Sequence, residues 1–204
     1  MKRTAVLISG NGSNLQALIN YWQHFSPKYD IQLVISNNPE VKGLERADKA
    51  GIETLVLNHR DYSDREQYDR ALEAVLANRG IELIALAGFL RLLSSWFVQQ
   101  WSGRMINIHP SLLPAFAGLH THQAALDYGV RYSGCSVIFV DEGVDTGAII
   151  EQAVVPVFDD DNEELLAKRV LAEEHRIFPL ALDEVAAGRV SLQSGKVIRK
   201  PDIT

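Results

Sequence analysis

The sequence predicts an α/β fold: a mostly parallel central sheet with helices on both faces and an antiparallel portion in the second half. Three observations carry this expectation. In the first half, short apolar runs alternate with amphipathic helical stretches, the rhythm of strand–helix–strand units. The run Ile81 to Ala87 is almost wholly apolar, as a central strand covered on both faces requires. In the second half the rhythm changes, and two β-rich runs flank a turn containing Gly143 and Gly147.

The elements follow in order. Ala5 to Ile8 is a buried strand. Ser13 to His24 is a helix, because Leu15, Leu18, Ile19 and Trp22 recur at helical spacing. Ile31 to Ser36 is a second strand, closed by Asn37-Asn38-Pro39. Gly43 to Ala50 forms a short helix with Gly51 past its end. Thr54 to Leu57 is a short strand. Ser63 and Glu66 form a capping box for a helix that runs to about Arg79 and stops at Gly80. After the apolar strand come a helix over Ser94 to Trp101 and a strand over Arg104 to His109, stopped by Pro110. Ser136 to Val140 and Ile149 to Val157 pair antiparallel. Asn162 to about Gly188 is helical, its N-terminus favoured by Asp159, Asp160 and Asp161, with Pro179 kinking or breaking it. Val190 to Leu192 and Lys196 to Ile198 make a terminal hairpin around Ser194-Gly195.

Length and composition bound the rest. The 204 residues allow one large domain or two small ones, and no repeat or linker divides them. One unit is expected, with a nucleotide-type half over about 1–100 and a more divergent half over about 101–204. Net charge −6 argues against general nucleic-acid binding but leaves local groups free to take an anionic small substrate. The single Cys135 excludes an internal disulfide and fits a reducing cytoplasm. No apolar run reaches the roughly 20 residues of a membrane span, and the start is too short in apolar length for a signal peptide.

Three constellations carry chemistry. Gly10-Asn11-Gly12-Ser13-Asn14 stands between strand one and helix one, where free backbone N–H groups and the helix dipole suit a phosphate. Leu15 occupies the place of a third glycine, and no Gly-Lys-Ser/Thr follows, so a phosphate monoester fits better than a dinucleotide. A plain tight turn fits the same residues. The second set is Asn107, His109 and Asp145. Asn107 and His109 are two apart on a strand and project side by side. An amide donor, an imidazole that can carry a proton and a carboxylate that favours its cation make a site for a developing oxyanion. The third is Ala87-Gly88-Phe89-Leu90-Arg91-Leu92-Leu93, at the carboxyl end of the central strand. Leu90, Leu92 and Leu93 can line an apolar slot and Arg91 can meet a carboxylate; a loop packed into the core fits equally. His120-Thr121-His122 lacks thiol or carboxylate partners, so no metal is expected. Cys135 reads as a buried structural thiol.

Taken with Asn107-Ile108-His109-Pro110-Ser111-Leu112-Leu113-Pro114 and Asp141-Glu142-Gly143-Val144-Asp145-Thr146-Gly147, the chain from Val6 to about Pro179 resembles the folate-dependent phosphoribosylglycinamide formyltransferase family. The resemblance implies a Rossmann-like formyltransferase fold and direct formyl transfer from 10-formyltetrahydrofolate to the glycine amine of 5-phosphoribosylglycinamide, in purine biosynthesis. It gives Asn107, His109 and Asp145 the catalytic roles, with His109 as proton donor and Asp145 raising the His pKa. Gly12, Ser13 and Asn14 would hold the ribotide phosphate. Leu171, Ala172, Glu173 and Glu174 would face the ribotide, with Glu174 at the glycinamide end. The folate would lie along Arg65, Leu90, Arg91, Leu92, Leu93, Asn107, Asp141, Glu142, Gly143, Val144 and Asp145. The half over about 101–204 is expected to be the catalytic and folate half.

The resemblance further implies a cytoplasmic enzyme, monomeric or weakly dimeric, with small-molecule partners and neither nucleic acid nor membrane. Ala117, Ile138 and Leu171 depart from residues usual in the family, and none removes a catalytic group. Rival readings are another 10-formyltetrahydrofolate-using formyltransferase or hydrolase and, from a different class, a non-catalytic phosphate-binding module. The enzymes among them usually carry an extra domain, for which a chain starting at strand one and ending soon after the core leaves no room.

Overall fold

The computed structural model describes residues 1–200. Seven strands form one sheet: β1 (Lys2–Ile8), β2 (Tyr29–Ser36), β3 (Glu53–Val56), β4 (Leu83–Leu86), β5 (Met105–His109), β6 (Tyr132–Phe139) and β7 (Ile149–Pro156). Their spatial order is β3-β2-β1-β4-β5-β6-β7. The first five pair in parallel; β6 runs the opposite way and pairs antiparallel with both β5 and β7. The expected fold class is therefore the observed one. The strand order reverses between β1 and β4, and ligand clefts of such sheets open outside the carboxyl ends of strands at that reversal.

The helices are α1 (Ser13–Phe25), α2 (Lys42–Lys49), α3 (Arg65–Asn78), α4 (Ser95–Gln100), α5 (Thr121–Tyr128) and α6 (Glu163–Ala186). Side-chain alternation along the strands builds two cores. Val6 and Ile8 face Leu15, Leu18 and Ile19 of α1 and the apolar stripe of α6. Ala5 and Leu7 face Tyr68, Leu72 and Leu76 of α3 and Phe97 of α4. Strands β8 (Val190–Gln193) and β9 (Lys196–Arg199) form the expected separate hairpin.

Several local expectations need correction. The cap of α3 is Asp64, whose Oδ1 accepts from Gln67 N at 2.9 Å, and not Ser63, whose hydroxyl donates to Asp64 instead. Helix α6 is capped by Asn162, whose Oδ1 accepts from Leu165 N. Asp161 turns to Arg169 at 2.7 Å. Pro179 does not break α6. An interior proline costs about 3 kcal/mol. Burying side chains such as Ile177, Phe178 and Leu182 around it returns about 1.5–3 kcal/mol each, so one continuous helix is favoured. Helix α5 was not expected, because of its residues only Thr121 and Ala125 are buried and its apolar face is too narrow to read.

Strand β6 starts at Tyr132, earlier than Ser136, because Ser133 and Gly134 read as turn residues. Both are packed inside the sheet. A Cβ on Gly134 would overlap the Ala153 carbonyl oxygen of β7 and press within 2.8 Å of Leu112. Gly134→Ala is accordingly expected to destabilise the protein by about 1–3 kcal/mol, read as a lower urea midpoint with an unchanged slope.

Candidate active site

Three loops meet at the carboxyl ends of β1, β4 and β5. Strand β5 delivers Asn107 and His109 to the same side, with His109 5% exposed and Asn107 half-buried. The loop between β6 and β7 returns Asp145 to them. His109 Nδ1 lies 3.3 Å from Asp145 Oδ2, and its Nε2 lies 3.1 Å from the Phe116 carbonyl oxygen. Asp145 adopts a left-handed conformation, φ 54°, and its Oδ2 also accepts from Gly118 N at 2.9 Å. The Ala115 to His120 loop thus touches both ionisable residues through its backbone, a contribution no side-chain pattern announces.

The segment after His109 is fixed from behind. Ser136, opposite His109 on β6, donates its hydroxyl to Ser111 O at 2.7 Å and accepts from Leu113 N at 3.0 Å. Gln152 of β7 donates to both Ser136 Oγ and Leu113 O. Every polar atom in this buried knot that faces the turn has a partner, so the turn is held rigidly.

A cavity of about 160 Å³ opens beside Asn107 and Asp145; His109 does not line it. Arg65, Arg91, Leu92, Leu93, Asn107 and the whole stretch Asp141 to Asp145 line it, with Phe89, Val98, Ile138 and Val140 behind. Leu90 does not line it; its side chain is exposed, while its amide donates to Ser9 Oγ at 2.8 Å. The Asp141 to Gly147 loop is tied internally, Asp141 Oδ1 accepting from Gly143 N at 3.1 Å and Thr146 Oγ1 at 2.8 Å. Glu142 reaches out to Gln99 at 2.8 Å.

On the other side lies the glycine loop. Gly12 ends it in a left-handed conformation, φ 72°, and a Cβ there would meet Gly43 Cα at 2.7 Å. Two glycines in contact let α2 approach α1 closely. Ser13 opens α1 and, with Arg46 and His175, lines a second cavity of about 440 Å³. Sequence reasoning missed Arg46 and His175, which come from separate helices and form no motif. Asn14 is not among the residues lining that cavity, and its amide donates to Glu174 Oε2 at 2.6 Å. Of the Leu171 to Glu174 segment, Glu174 is buried and joins the site, Glu173 pairs with Arg176 at 2.6 Å, Ala172 is exposed and Leu171 half-buried. Cys135 is fully buried, and burial pushes its thiol up to about 12, where it stays protonated and unreactive. Among the described residues no three His, Cys, Asp or Glu cluster as metal ligands would, and no helix is long and apolar enough to cross a membrane.

Glu174 is the electrostatic oddity. Burial pushes its carboxyl above the ordinary value of about 4.5, with the Asn14 hydrogen bond and His109 pulling the other way. A carboxyl raised on folding stabilises the fold below its unfolded pKa, and that contribution is lost as pH rises through the folded pKa. Glu174→Gln keeps an acceptor for Asn14 and cannot ionise. It is expected to unfold at higher urea than the parent at pH 8, with the gap closing near pH 4.

An α/β sheet with a glycine loop at one strand end and an amide–imidazole–carboxylate set at another is an arrangement suited to group transfer at a carbonyl carbon. A formyl transferase family model matches residues 2–182, and the chain belongs to that family. It is 46% identical to the phosphoribosylglycinamide formyltransferase of Escherichia coli (strain K12), over 92% of this chain and 88% of that one. It is 50% identical to the human trifunctional purine biosynthetic protein adenosine-3 over 96% of this chain, which spans only 19% of that larger protein. Relatives of this multifunctional kind are matched over 14–20% of their length. The crystal structure of glycinamide ribonucleotide transformylase 1 from Symbiobacterium toebii superposes with a TM-score of 0.95 at 43% identity, over 98% of this chain and 95% of that one.

Proposed function

We propose that this protein transfers the formyl group of 10-formyltetrahydrofolate to the amine of 5-phosphoribosylglycinamide. The observation that carries the reading is the pairing of His109 with Asp145 at the edge of a cavity that Asn107 and Asp145 line. The cavity with leucines and Arg65 and Arg91 suits a flat pterin-type donor with an acidic tail. The side with Gly12, Ser13 and the α1 N-terminus suits the ribotide phosphate. Glu174 lies between the glycine loop and His109, where a carboxylate suits the amine end of the acceptor.

The neutral amine attacks the formyl carbon and the carbonyl oxygen becomes O⁻. Asn107 and His109 donate to that oxygen, and Asp145 orients the imidazole and balances its positive charge. With both ring nitrogens already near acceptors, this requires Nε2 to exchange the Phe116 carbonyl for the substrate oxygen. One proton then passes from the attacking nitrogen to the leaving N10, with Asp145 or a water as relay, and the carbon–nitrogen bond to folate breaks. The deciding experiment follows tetrahydrofolate release by absorbance with the ribotide supplied and withheld. Release only with the acceptor present is expected; equal release without it would make the protein a hydrolase.

A further inference from the structure

Three buried polar atoms without hydrogen-bond partners lie beneath the arginine-bearing side of the 160 Å³ cavity: Tyr68 Oη, Asp69 Oδ1 and Arg91 Nε. The Arg91 guanidinium rests on the Tyr68 ring, 4.7 Å from its centre. Asp69 is fully buried on α3, and its Oδ2 accepts from Ser94 N at 2.5 Å. Ser94 ends the Gly88 to Ser94 loop that carries Arg91 and caps α4. A buried carboxylate is unfavourable unless something compensates it, and an apolar residue would pack α3 as well. Burial pushes the Asp69 carboxyl up, while Ser94, Arg91 and Arg65 pull it down. Both guanidinium groups therefore lie within its field, yet neither is hydrogen-bonded to it. That arrangement has a use. Two arginines on one cavity wall repel each other, and an anion behind the wall offsets the repulsion without consuming their N–H donors.

We propose that Asp69 is a positioning residue for the distal end of the formyl donor: it tethers the Gly88 to Ser94 loop and holds the Arg91 and Arg65 guanidinium groups ready for the carboxylates of the donor's glutamate tail. The inference rests on the reading of this cavity as the folate site.

The test compares two formyl donors, 10-formyltetrahydrofolate and 10-formyltetrahydropteroate, which lacks the glutamate. Asp69→Asn keeps an acceptor for Ser94 N and removes the charge. Its KM for the glutamate-bearing donor is expected to rise about 3- to 30-fold with kcat little changed, while KM for the pteroate donor stays at the parent value. A KM rise shared equally by both donors, or by neither, overturns the proposal. Should Asp69→Asn fail to fold, Ser94→Pro removes the tether in place of the charge: Ser94 already has φ −71°, and the change deletes its N–H together with the hydroxyl that caps α4. It must show the same donor-selective rise, and a non-selective one overturns the proposal. Parent enzyme that turns over neither donor would overturn the folate reading and this inference with it; parent turnover with a non-selective Asp69→Asn overturns this inference alone.

Discussion

His109→Ala is expected to lower kcat for formyl transfer by about 10²- to 10⁴-fold while both substrates still bind. The reasoning is differential. The imidazole stands against the reacting oxygen only once that oxygen carries charge, so its loss removes transition-state stabilisation and little ground-state binding. The Gly12 to Ser13 end and the Arg65 and Arg91 wall lie outside its contacts, so dissociation constants measured calorimetrically should move little. Removing a buried imidazole also leaves a small cavity and deprives Asp145 of one partner, which is expected to cost stability but not the fold. Because His109 and Asp145 act as one unit, replacing both should cost little more than replacing His109 alone. Transfer that survives His109→Ala undiminished would sink the assignment of His109. A protein that binds both ligands and never turns over would be a binding module.

The fold was legible because its signals are periodic. Leu15, Leu18 and Ile19 mark α1 by spacing, and Ile84 to Leu86 mark a strand buried on both faces by having no polar position at all. Where the pattern misplaced the start of β6, small residues were the cause. Gly134 occupies a strand position because β7 passes too close for anything larger, and that closeness is a tertiary fact. For the candidate site, Asn107 and His109 could be paired from strand alternation alone. Asp145 could not, since its reach depends on a left-handed residue in a turn held by Asp141 and Thr146. The Phe116 carbonyl and the Gly118 amide contribute backbone atoms, which leave no trace in residue type. Asp69 belongs to no motif, and only its burial on α3 sets it apart from the other acids of that helix.

Asp145→Asn is expected to lower kcat by about 10²- to 10⁴-fold at nearly unchanged stability, and the choice of asparagine decides what the experiment means. Asp145 sits at φ 54°. Asparagine tolerates that region nearly as well as aspartate, whereas alanine there would be strained by about 1–2 kcal/mol. Asp145→Ala would therefore mix a backbone effect with a chemical one. In the asparagine variant the side-chain oxygen can still accept from Gly118 N, keeping the loop in place. The remaining atom facing His109 Nδ1 is then either the same neutral oxygen or an NH₂ group. The neutral oxygen orients the ring without balancing a positive charge on it. The NH₂ group turns the ring to the tautomer in which Nδ1 accepts and Nε2 donates. In both cases the imidazolium loses the carboxylate that faces it across 3.3 Å. Equal thermal midpoints with a collapsed kcat would locate the effect in that charge. A variant as active as its parent would mean that proton movement and oxyanion stabilisation proceed without Asp145, leaving Asn107 and His109 to act alone.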